Sequence, residues 1–442
     1  MPGGLGRHTS GRARLRKEEL HASLSDPVLE TMNFLNEVTS RYPDAISFAP
    51  GRPYAGFFET QQVFEHIRNY LSYLAENGRS PSQIRDALFQ YGPTAGVIRE
   101  LIASSLRADE NINVPPQSIV VTVGCQEAML LALRALIRGP KDVLLVSSPC
   151  YVGISGAAKL LDIEPVPVEE REAGFNCADL ERAMHAERRR GRRPRAFYVV
   201  PDHSNPAGTT MPEKTRYQLL ELAARGDVLL LEDSPYRMVS PAPHMPTLKS
   251  IDRQQRVIYL GSFAKTAFPG ARVGFAVADQ RVTDAKGNVT LLADELGKIK
   301  SMVTVNTPSL SQAVIGGILL ACQGRISELN SGAAAYYADA MRAVLRQLDL
   351  CLPAERRTAL GVGWNTPDGG FFLTVRVPFR ADNAALARSA DKFSVVWTPM
   401  SYFYPQGGGD FSLRLSVSYL AREDIPEGIR RLARFIEAES AR

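Results

Sequence analysis

The sequence is poor in cysteine, in tryptophan and in long apolar runs. Its five cysteines among 442 residues are scattered, odd in number and without the paired spacing of a metal site. This pattern favours a reducing compartment and predicts a cytoplasmic protein without a metal centre. No apolar run approaches the roughly 18 residues that cross a bilayer, and the basic N-terminus has no apolar core. We therefore expect neither a membrane segment nor a signal peptide.

The charge of the chain gives little sign of a macromolecular partner. Hydrophobic residues make up 45% and charged residues 22%, as in an ordinary globular protein. The net charge of +5 is concentrated in RHTSGRARLRK, at 7–17, and HAERRRGRRPR, at 185–195. No aromatic residue lies within either stretch, so both are more typical of a solvated surface than of nucleic-acid binding.

Short apolar runs alternate with helical patterns between about 95 and 280. The runs that indicate strands lie at 118–124, 142–148, 196–201, 227–234, 256–263 and 273–279. The helical patterns lie at 95–107, 126–137 and 213–225. Continuous apolar strands separated by helices predict an α/β fold, with a mostly parallel sheet covered by helices on both faces.

The length of the chain suits one large and one smaller domain. Helices are predicted at 27–42, 332–348 and 424–440, strands at 369–377 and 412–419, and a mainly helical region at 283–325. We expect four parts: a disordered basic tail at 1–22, an N-terminal arm belonging in part to the small domain at 23–60, a large domain at 61–310 and a small α+β domain at 311–442.

Polar residues follow four of the predicted strands, and ligands bind at the carboxyl ends of strands in such sheets. The residues just beyond these strands are Gly124, Cys125 and Gln126 after the first, Asn205 within DHSNPAGTTM after the third, Asp233 and Tyr236 after the fourth, and Ser262 and Lys265 after the fifth. We expect all of them to meet at one edge of the sheet.

These residue types suit one kind of ligand. A glycine followed by free N–H groups at a helix N-terminus binds phosphate. An acid such as Asp233 can hold a protonated ring nitrogen, and a buried Lys265 can form an imine with a carbonyl. Arg272 follows Lys265 in the small-residue loop GSFAKTAFPGARVG and can bind a phosphate with two parallel hydrogen bonds. Together they predict a site for pyridoxal 5'-phosphate.

The same stretches resemble those of the class I aminotransferases of the fold-type I pyridoxal-phosphate enzymes, particularly the branch with the 2-aminoadipate and kynurenine aminotransferases. The resemblance covers residues 25–440. Nine motifs occur in the family's order: ISFAPGRP, YGPTAG, GCQEAM, SSPCY, SNPAGTTM, EDSPY, GSFAKTAFPGARVG, PDGGFF and FSLRLSVS. It implies the aminotransferase fold of type I, with a large sheet domain and a smaller α+β domain.

The resemblance implies a role for each residue beside the cofactor ring. Lys265 would bind the cofactor covalently and move the catalytic proton, and Asp233 would pair with the ring nitrogen. Asn205 and Tyr236 would bind the phenolic oxygen of the ring, and Asn205 would also touch the substrate. Tyr151 would stack on the ring. Lys265, Asp233 and Tyr236 form the implied catalytic set.

The resemblance also implies how the phosphate is bound. It would lie against Gly124, Cys125, Gln126, Ser262 and Arg272. Cys125 stands where a serine or another small polar residue is usual, and a thiol is a weak donor. We therefore expect the backbone N–H groups to bind more of the phosphate. Ala264, where a second serine is common, removes another hydroxyl.

The resemblance implies that four further residues contact the substrate or the neighbouring subunit. Tyr91 would reach the phosphate of the neighbouring subunit, which implies a homodimer with shared active sites. Arg414 would hold the α-carboxylate of the substrate. Gly51 and Arg52 lie in a loop that covers the substrate side in the family, where leucine is frequent in place of Arg52. Arg52 then either reads a second acidic group of the substrate or is a solvent-facing arginine.

These motifs define the cofactor better than the reaction, because the bond that breaks depends on the substrate side of the site. The favoured function is an aminotransferase that moves the α-amino group of an L-amino acid to a 2-oxo acid through pyridoxamine phosphate. The alternative is a pyridoxal-phosphate enzyme of specialised bacterial biosynthesis that eliminates or replaces a β- or γ-group, decarboxylates, or forms carbon–carbon bonds. A transcription regulator or a non-catalytic binding protein is disfavoured, since few residues precede the resemblance and both Lys265 and Asp233 are present.

Overall fold

The computed structural model of the protein describes residues 14–170 and 174–442. Two sheets dominate it, one of seven strands and one of four. The helices, numbered along the chain, are α1 Pro27–Arg41, α2 Thr60–Glu76, α3 Pro81–Phe89, α4 Arg99–Glu110, α5 Gly124–Leu136, α6 Val152–Leu160, α7 Cys177–Arg189, α8 Glu213–Arg225, α9 Leu248–Ile251, α10 Leu292–Val303, α11 Ser309–Ala321, α12 Ile326–Leu329, α13 Ser331–Cys351, α14 Ala354–Leu360, α15 Asn383–Phe393 and α16 Ile425–Ser440.

The strands are short and mostly buried. They are β1 Ile46–Ser47, β2 Ile119–Thr122, β3 Asp142–Ser148, β4 Val166–Glu169, β5 Arg193–Val199, β6 Leu229–Asp233, β7 Val257–Ser262, β8 Gly274–Val277, β9 Arg281–Thr283, β10 Val289–Leu291, β11 Gly363–Trp364, β12 Phe372–Arg376, β13 Val395–Val396, β14 Thr398–Pro399 and β15 Ser412–Ser416.

The seven-stranded sheet has the order β2-β8-β7-β6-β5-β3-β4. Strands β4, β3, β5, β6 and β7 are parallel neighbours, and β8 runs antiparallel to both β7 and β2. All strands except β8 therefore end at the same edge. Polar residues that follow β2, β5, β6 and β7 in the sequence are brought together there, as an open α/β sheet requires of its ligand site.

Helices cover both faces of this sheet because its strands are apolar on both sides. Along β3, Leu144 and Val146 pack with helices α5, α6 and α10, whereas Val143 and Leu145 pack with α7 and α8. This alternation is the period of two of a strand, and burial of both sets explains the continuous apolar runs. The predicted α/β class, with a mostly parallel covered sheet, is confirmed.

The four-stranded sheet is antiparallel, in the order β11-β12-β15-β14. It packs on α13, α15 and α16 around a second core that includes the fully buried Trp397. The N-terminal segment joins this part of the molecule, since β1 pairs in parallel with β13 and Val38 of α1 lies in the same core. This arrangement holds the loop that follows β1 close to the end of β15.

Several elements differ from their predictions. The region from 283 begins with a β-hairpin of β9 and β10, and only then becomes helical. Within the mostly parallel sheet, β8 is antiparallel, and the sequence did not single it out because an apolar run indicates a strand but carries no information on its direction. Strand β4 at the sheet edge was missed because it is only partly buried.

The predicted domain limits remain predictions. The limit at 310 and 311 lies inside α11, whose Ala313 and Ile315 pack with Val121 of the large sheet. We infer from this packing that the large domain extends to about residue 330. Of the predicted tail, residues 1–13 lie outside the described residues, and Lys17–Glu19 form a turn of 3-10 helix.

In residues 14–170 and 174–442, no helix combines the length and the apolar composition needed to span a membrane.

Candidate active site

A cavity of about 220 Å³ opens at the carboxyl edge of the seven-stranded sheet. Twelve of the predicted site residues line it: Gly51, Arg52, Cys125, Gln126, Tyr151, Asn205, Asp233, Tyr236, Ser262, Lys265, Arg272 and Arg414. Gly124 lies directly behind this lining, against Arg272. Residues from the sheet edge, the N-terminal segment and the small sheet thus share one cavity.

Lys265 lies in the loop after β7, and its Nζ donates a hydrogen bond to the carbonyl oxygen of Gly51 over 2.5 Å. Burial, together with the positive charges of Arg272 and Arg414, lowers the pKa of its amine to about 8. Lys265 forms no ion pair with a described carboxylate. The uncharged form, which attacks carbonyl groups, is therefore more populated near neutral pH than in an exposed lysine.

Asp233 ends β6 and is only 3% exposed. Tyr198 of β5 donates its hydroxyl to one carboxylate oxygen over 2.7 Å, and the thiol of Cys125 lies 3.6 Å from the other. Burial raises the pKa of Asp233 to about 6, although both hydrogen bonds and the charge of Lys265 oppose this shift. The Cys125 thiol is thus directed at Asp233, a contact that the sequence did not predict.

Asn205, in the loop after β5, connects two other site residues. Its amide nitrogen donates to the hydroxyl of Tyr236 over 3.2 Å, and its amide oxygen accepts from Nη1 of Arg414 over 2.8 Å. The ring of Tyr236 lies edge-on to Phe371 and Phe372, and burial raises its pKa far above the ordinary value. Tyr236 is therefore a neutral donor whose hydroxyl hydrogen is free for a ligand.

Arg414 lies on β15 and is 2% exposed. Its Nη2 donates to the carbonyl of Ala49 over 2.6 Å and to the hydroxyl of Thr398 over 3.3 Å, while its Nε is buried without a partner. It forms no ion pair with any described carboxylate, and burial lowers its pKa to about 10. A buried guanidinium without a counter-charge is costly unless a ligand supplies one.

The first turn of α5 lies at the opposite end of the cavity. No side chain of the described residues caps this helix, and it begins at Gly124 with φ +70°. A Cβ on Gly124 would lie 2.5 Å from Nη2 of Arg272, so the guanidinium rests on the helix terminus. Ser262 lines the cavity beside it. Free N–H groups, a helix dipole and a guanidinium form an anion-binding corner.

Two predicted residues of the cofactor site contact each other. The side chain of Gln126 donates to the carbonyl of Gly153 over 3.1 Å and accepts from the hydroxyl of Tyr151 over 3.4 Å. This pair holds the ring of Tyr151 against the cavity. The Gln126 side chain is therefore used within the protein, and its backbone N–H is the group left for an anion.

The two remaining predicted residues, Arg52 and Tyr91, lie away from the centre of the cavity. Nη2 of Arg52 donates to the hydroxyl of Thr39 on α1 over 2.7 Å, and the guanidinium lies 4.8 Å from the ring centroid of Tyr419. Tyr91 does not line the cavity of its own chain and is 85% exposed. Arg52 is thus close enough to meet a ligand at the mouth of the cavity, whereas Tyr91 faces outwards.

Sequence reasoning missed Tyr198, Thr398 and Thr39. Tyr198 lies inside an apolar strand, where a tyrosine is indistinguishable from a core residue. Thr398 and Thr39 come from elements far from any recognisable motif. A usable signal existed only for Tyr198, because a buried tyrosine hydroxyl requires a hydrogen-bond partner.

Comparison with known proteins places this geometry in a family. The model for aminotransferases of class I and II matches residues 69–432. A (S)-3,5-dihydroxyphenylglycine transaminase of Amycolatopsis orientalis is 46% identical, over 96% of this chain and 95% of that protein. The structure of the α-aminoadipate aminotransferase of Thermus thermophilus, complexed with N-(5'-phosphopyridoxyl)-L-leucine, has a TM-score of 0.77 at 28% identity, covering 96% and 98% of the chains.

A third comparison agrees. The structure of a kynurenine aminotransferase of Pyrococcus horikoshii has a TM-score of 0.78 at 28% identity, covering 96% and 97% of the chains. The cavity fits the cofactor of this family, since it offers a partly uncharged lysine, a buried acid and an anion-binding corner. The resemblance seen in the sequence is confirmed: the chain belongs to the class I and II aminotransferases and is a pyridoxal-phosphate-dependent aminotransferase.

Proposed function

We propose that the protein transfers the α-amino group between an arylglycine, of the kind named for its 46% identical relative, (S)-3,5-dihydroxyphenylglycine, and a 2-oxo acid. Arg414 is the main support for an amino-acid substrate. It is a buried guanidinium in the same cavity as Lys265, and no described residue supplies its counter-charge. A carboxylate at this position would accept two parallel hydrogen bonds and supply the missing charge.

Residues at both ends of the cavity would bind the cofactor. Bound pyridoxal phosphate supplies an electron sink that allows the α-proton of an amino acid to leave. Asp233 would hold the ring nitrogen, Asn205 and Tyr236 the phenolic oxygen, and Tyr151 one face of the ring. The anion-binding corner of α5, Ser262 and Arg272 would hold the phosphate.

Lys265 is the residue that moves the proton in this proposal. With the cofactor bound, its Nζ would take the proton from the substrate's α-carbon and give a proton to the carbon on the other side of the amino nitrogen, which is general acid–base catalysis by one atom. A pKa of about 8 suits this work, because the amine can both accept and release a proton near neutral pH. The hydrogen bond to the Gly51 carbonyl keeps Nζ within the cavity.

The apolar wall of the cavity suits an aryl group. Met32 and Leu35, three residues apart on α1, face the same side and line the cavity with Pro50. In an arylglycine the ring is joined directly to the α-carbon, so the ring must lie close to the reacting centre. An apolar wall formed by a methionine, a leucine and a proline suits such a ring.

Arg52 would bind the second carboxylate of a dicarboxylic 2-oxo acid that acts as acceptor. Its guanidinium is anchored by Thr39 at only one nitrogen and forms no ion pair with a described acid. An arginine on a ring face can also pack against an aryl group, so one side chain can serve both substrates.

We also propose a cytoplasmic homodimer with shared active sites. Exposed apolar side chains support the dimer: Phe89 is 76% exposed, Tyr91 85% and Met302 85%. The segments that carry them are neighbours, because a Cβ on Gly92 would lie 3.7 Å from the amide nitrogen of Asn306. Patches of this kind mark protein interfaces. The scattered cysteines support the cytoplasm.

Donor preference tests the substrate. The holoenzyme is mixed with single L-amino acids and no acceptor, and pyridoxamine phosphate and the 2-oxo acid are measured by absorbance and mass. We expect arylglycines to react with a kcat/KM at least about tenfold above that of phenylalanine or 2-aminoadipate, equal to about 1.4 kcal/mol. Arg414→Leu should lower kcat/KM for every donor. Preference for 2-aminoadipate would contradict the proposed donor, and release of carbon dioxide would contradict amino transfer.

Replacement of Arg52 tests the acceptor. We expect Arg52→Leu to raise KM for a dicarboxylic 2-oxo acid about tenfold or more, because one charged hydrogen-bond partner is lost. KM for pyruvate, which has no second carboxylate, should be unchanged. Arg52→Lys keeps the charge and should give an intermediate KM. An equal rise for both acceptors would mean that Arg52 only supports the loop.

Replacement of Gly124 tests the phosphate corner. We expect Gly124→Ala to weaken cofactor affinity at least about tenfold, because the new methyl group would displace the Arg272 guanidinium. Gly191→Ala is the matched control, since Gly191 has a similar φ of +72° and nothing within 4 Å of its Cβ position. Equilibrium binding of the cofactor to both apoenzymes measures the difference. Equal affinities in the two variants would rule out this corner as the phosphate site.

Mixing of variants tests the shared site. Tyr91→Ala and Lys265→Ala subunits should each form dimers of low activity. Random reassociation of equal amounts should restore about a quarter of the wild-type activity, because half of the dimers are mixed and each has one intact site. Restoration must require denaturation or dilution, so that subunits can exchange. Failure of the exchanged mixture to gain activity would place Tyr91 outside the partner's site.

A further inference from the structure

The carboxylate of Asp233 has an unusual set of partners. Each of its oxygens accepts one hydrogen bond from a neutral group, from Tyr198 over 2.7 Å and from the thiol of Cys125 over 3.6 Å. Asp233 forms no ion pair with a described residue, although Lys265 acts on it at longer range. The acid is therefore fixed on both oxygens, but its charge is not neutralised.

Both donors come from the face of the sheet that α5 covers. Tyr198 of β5 pairs in register with Leu231 of β6, two residues before Asp233, and is 1% exposed. Cys125 is the second residue of α5. Because the strand and the helix are both rigid, the two donors fix the position of the carboxylate as well as its charge.

We propose that Tyr198 and Cys125 are positioning residues that hold Asp233 ionised with neutral donors, so that its whole charge remains available for the ring nitrogen of the cofactor. A cationic partner would also keep Asp233 ionised, but it would compete with the ring nitrogen for the same charge. A neutral donor stabilises the carboxylate without this competition. The inference rests on the cofactor role proposed for Asp233.

The direction in which loss of Tyr198 or Cys125 shifts the pKa of Asp233 depends on the charges of the groups around Asp233. These are Tyr198, Cys125, Tyr151, Tyr236 and Lys265. Burial keeps the three tyrosines and the thiol neutral, since it raises the pKa of each. Lys265 is thus the group here that changes charge near pH 8.

Loss of a hydrogen bond to the carboxylate raises the pKa of Asp233, since the bond stabilises the ionised form. A raised pKa means that Asp233 takes up its proton at a higher pH on acidification. The neutral acid cannot pair with a protonated ring nitrogen, so cofactor affinity should fall as the pH is lowered through this pKa. The wild-type fall is expected near pH 6.

The test is the pH dependence of pyridoxamine 5'-phosphate binding to the apoenzyme, followed by the ligand's fluorescence. This probe forms no covalent bond with Lys265, so the affinity reports on non-covalent contacts alone. We expect Tyr198→Phe to move the midpoint of the fall up by about one pH unit. Cys125→Ala should move it up by less, because a thiol is a weak donor, and Cys125→Ser should reverse that shift.

Tyr259→Phe is the matched control. Tyr259 is also a buried tyrosine that donates to a carboxylate, that of Glu110 over 2.9 Å, but it does not line the cavity. Its loss should leave the midpoint unchanged. A wild-type midpoint in both Tyr198→Phe and Cys125→Ala would overturn the inference, as would the same shift in Tyr259→Phe. If wild-type apoenzyme did not bind the probe, the cofactor role of Asp233 itself would fail.

Discussion

The active site depends on buried charges that share one cavity without pairing with one another. Asp233, Lys265 and Arg414 all line it, yet Lys265 donates to a backbone carbonyl and Arg414 to neutral oxygens. Pairing would use the charge of the acid and raise the pKa of the lysine, so that neither group would be as available for the role proposed for it. The rest of the fold holds these charges apart.

The separation is enforced by attaching each charge to a different rigid element. Asp233 ends the central strand β6, Lys265 follows β7, and Arg414 lies inside β15 of the smaller sheet. Neighbouring strands are about 4.8 Å apart, so groups at their ends are held near one another, and the hydrogen bonds of Lys265 to Gly51 and of Asp233 to Tyr198 direct the two side chains to different partners. The free energy that offsets the burial of these charges comes from the apolar cores. One core surrounds Trp397, and the other surrounds the strands of the large sheet.

The grouping of Gly124, Cys125, Asp233 and Lys265 around one cavity could be predicted from the sequence, because each of these residues lies at or just beyond the end of a recognisable apolar strand. The rule that ligands bind at the carboxyl ends of strands is enough to bring Gly124, Asp233 and Lys265 together. The same rule carries no information on side-chain direction, so it could not foresee that the Cys125 thiol meets Asp233. Nor could it foresee Tyr198, which lies within a strand and not beyond its end.

The substrate side could not be assembled from sequence, because its residues are distant in the chain and lie on short elements. Arg414 donates to Ala49, 365 positions earlier, and Ser418 donates to the carbonyl of Arg52. Hydrophobic periodicity indicates elements, whereas contacts of such length depend on how two domains meet. This is why a second acidic group could be assigned to Arg52 only as one of two alternatives.

The residues that would hold the cofactor and those that would touch the substrate's side chain come from different parts of the fold, so one cofactor site can serve different substrates. The wall that would touch the substrate's side chain comes from α1 and the loop after β1. Backbone hydrogen bonds that join this segment to the small domain include those of Ile46 to Ser394, Phe48 to Val396 and Ser416 to Phe48. Changes in α1 or at Arg52 leave the bonds around Asp233 and Arg272 untouched. Such changes can therefore alter which amino acid enters without disturbing the residues that would hold the cofactor.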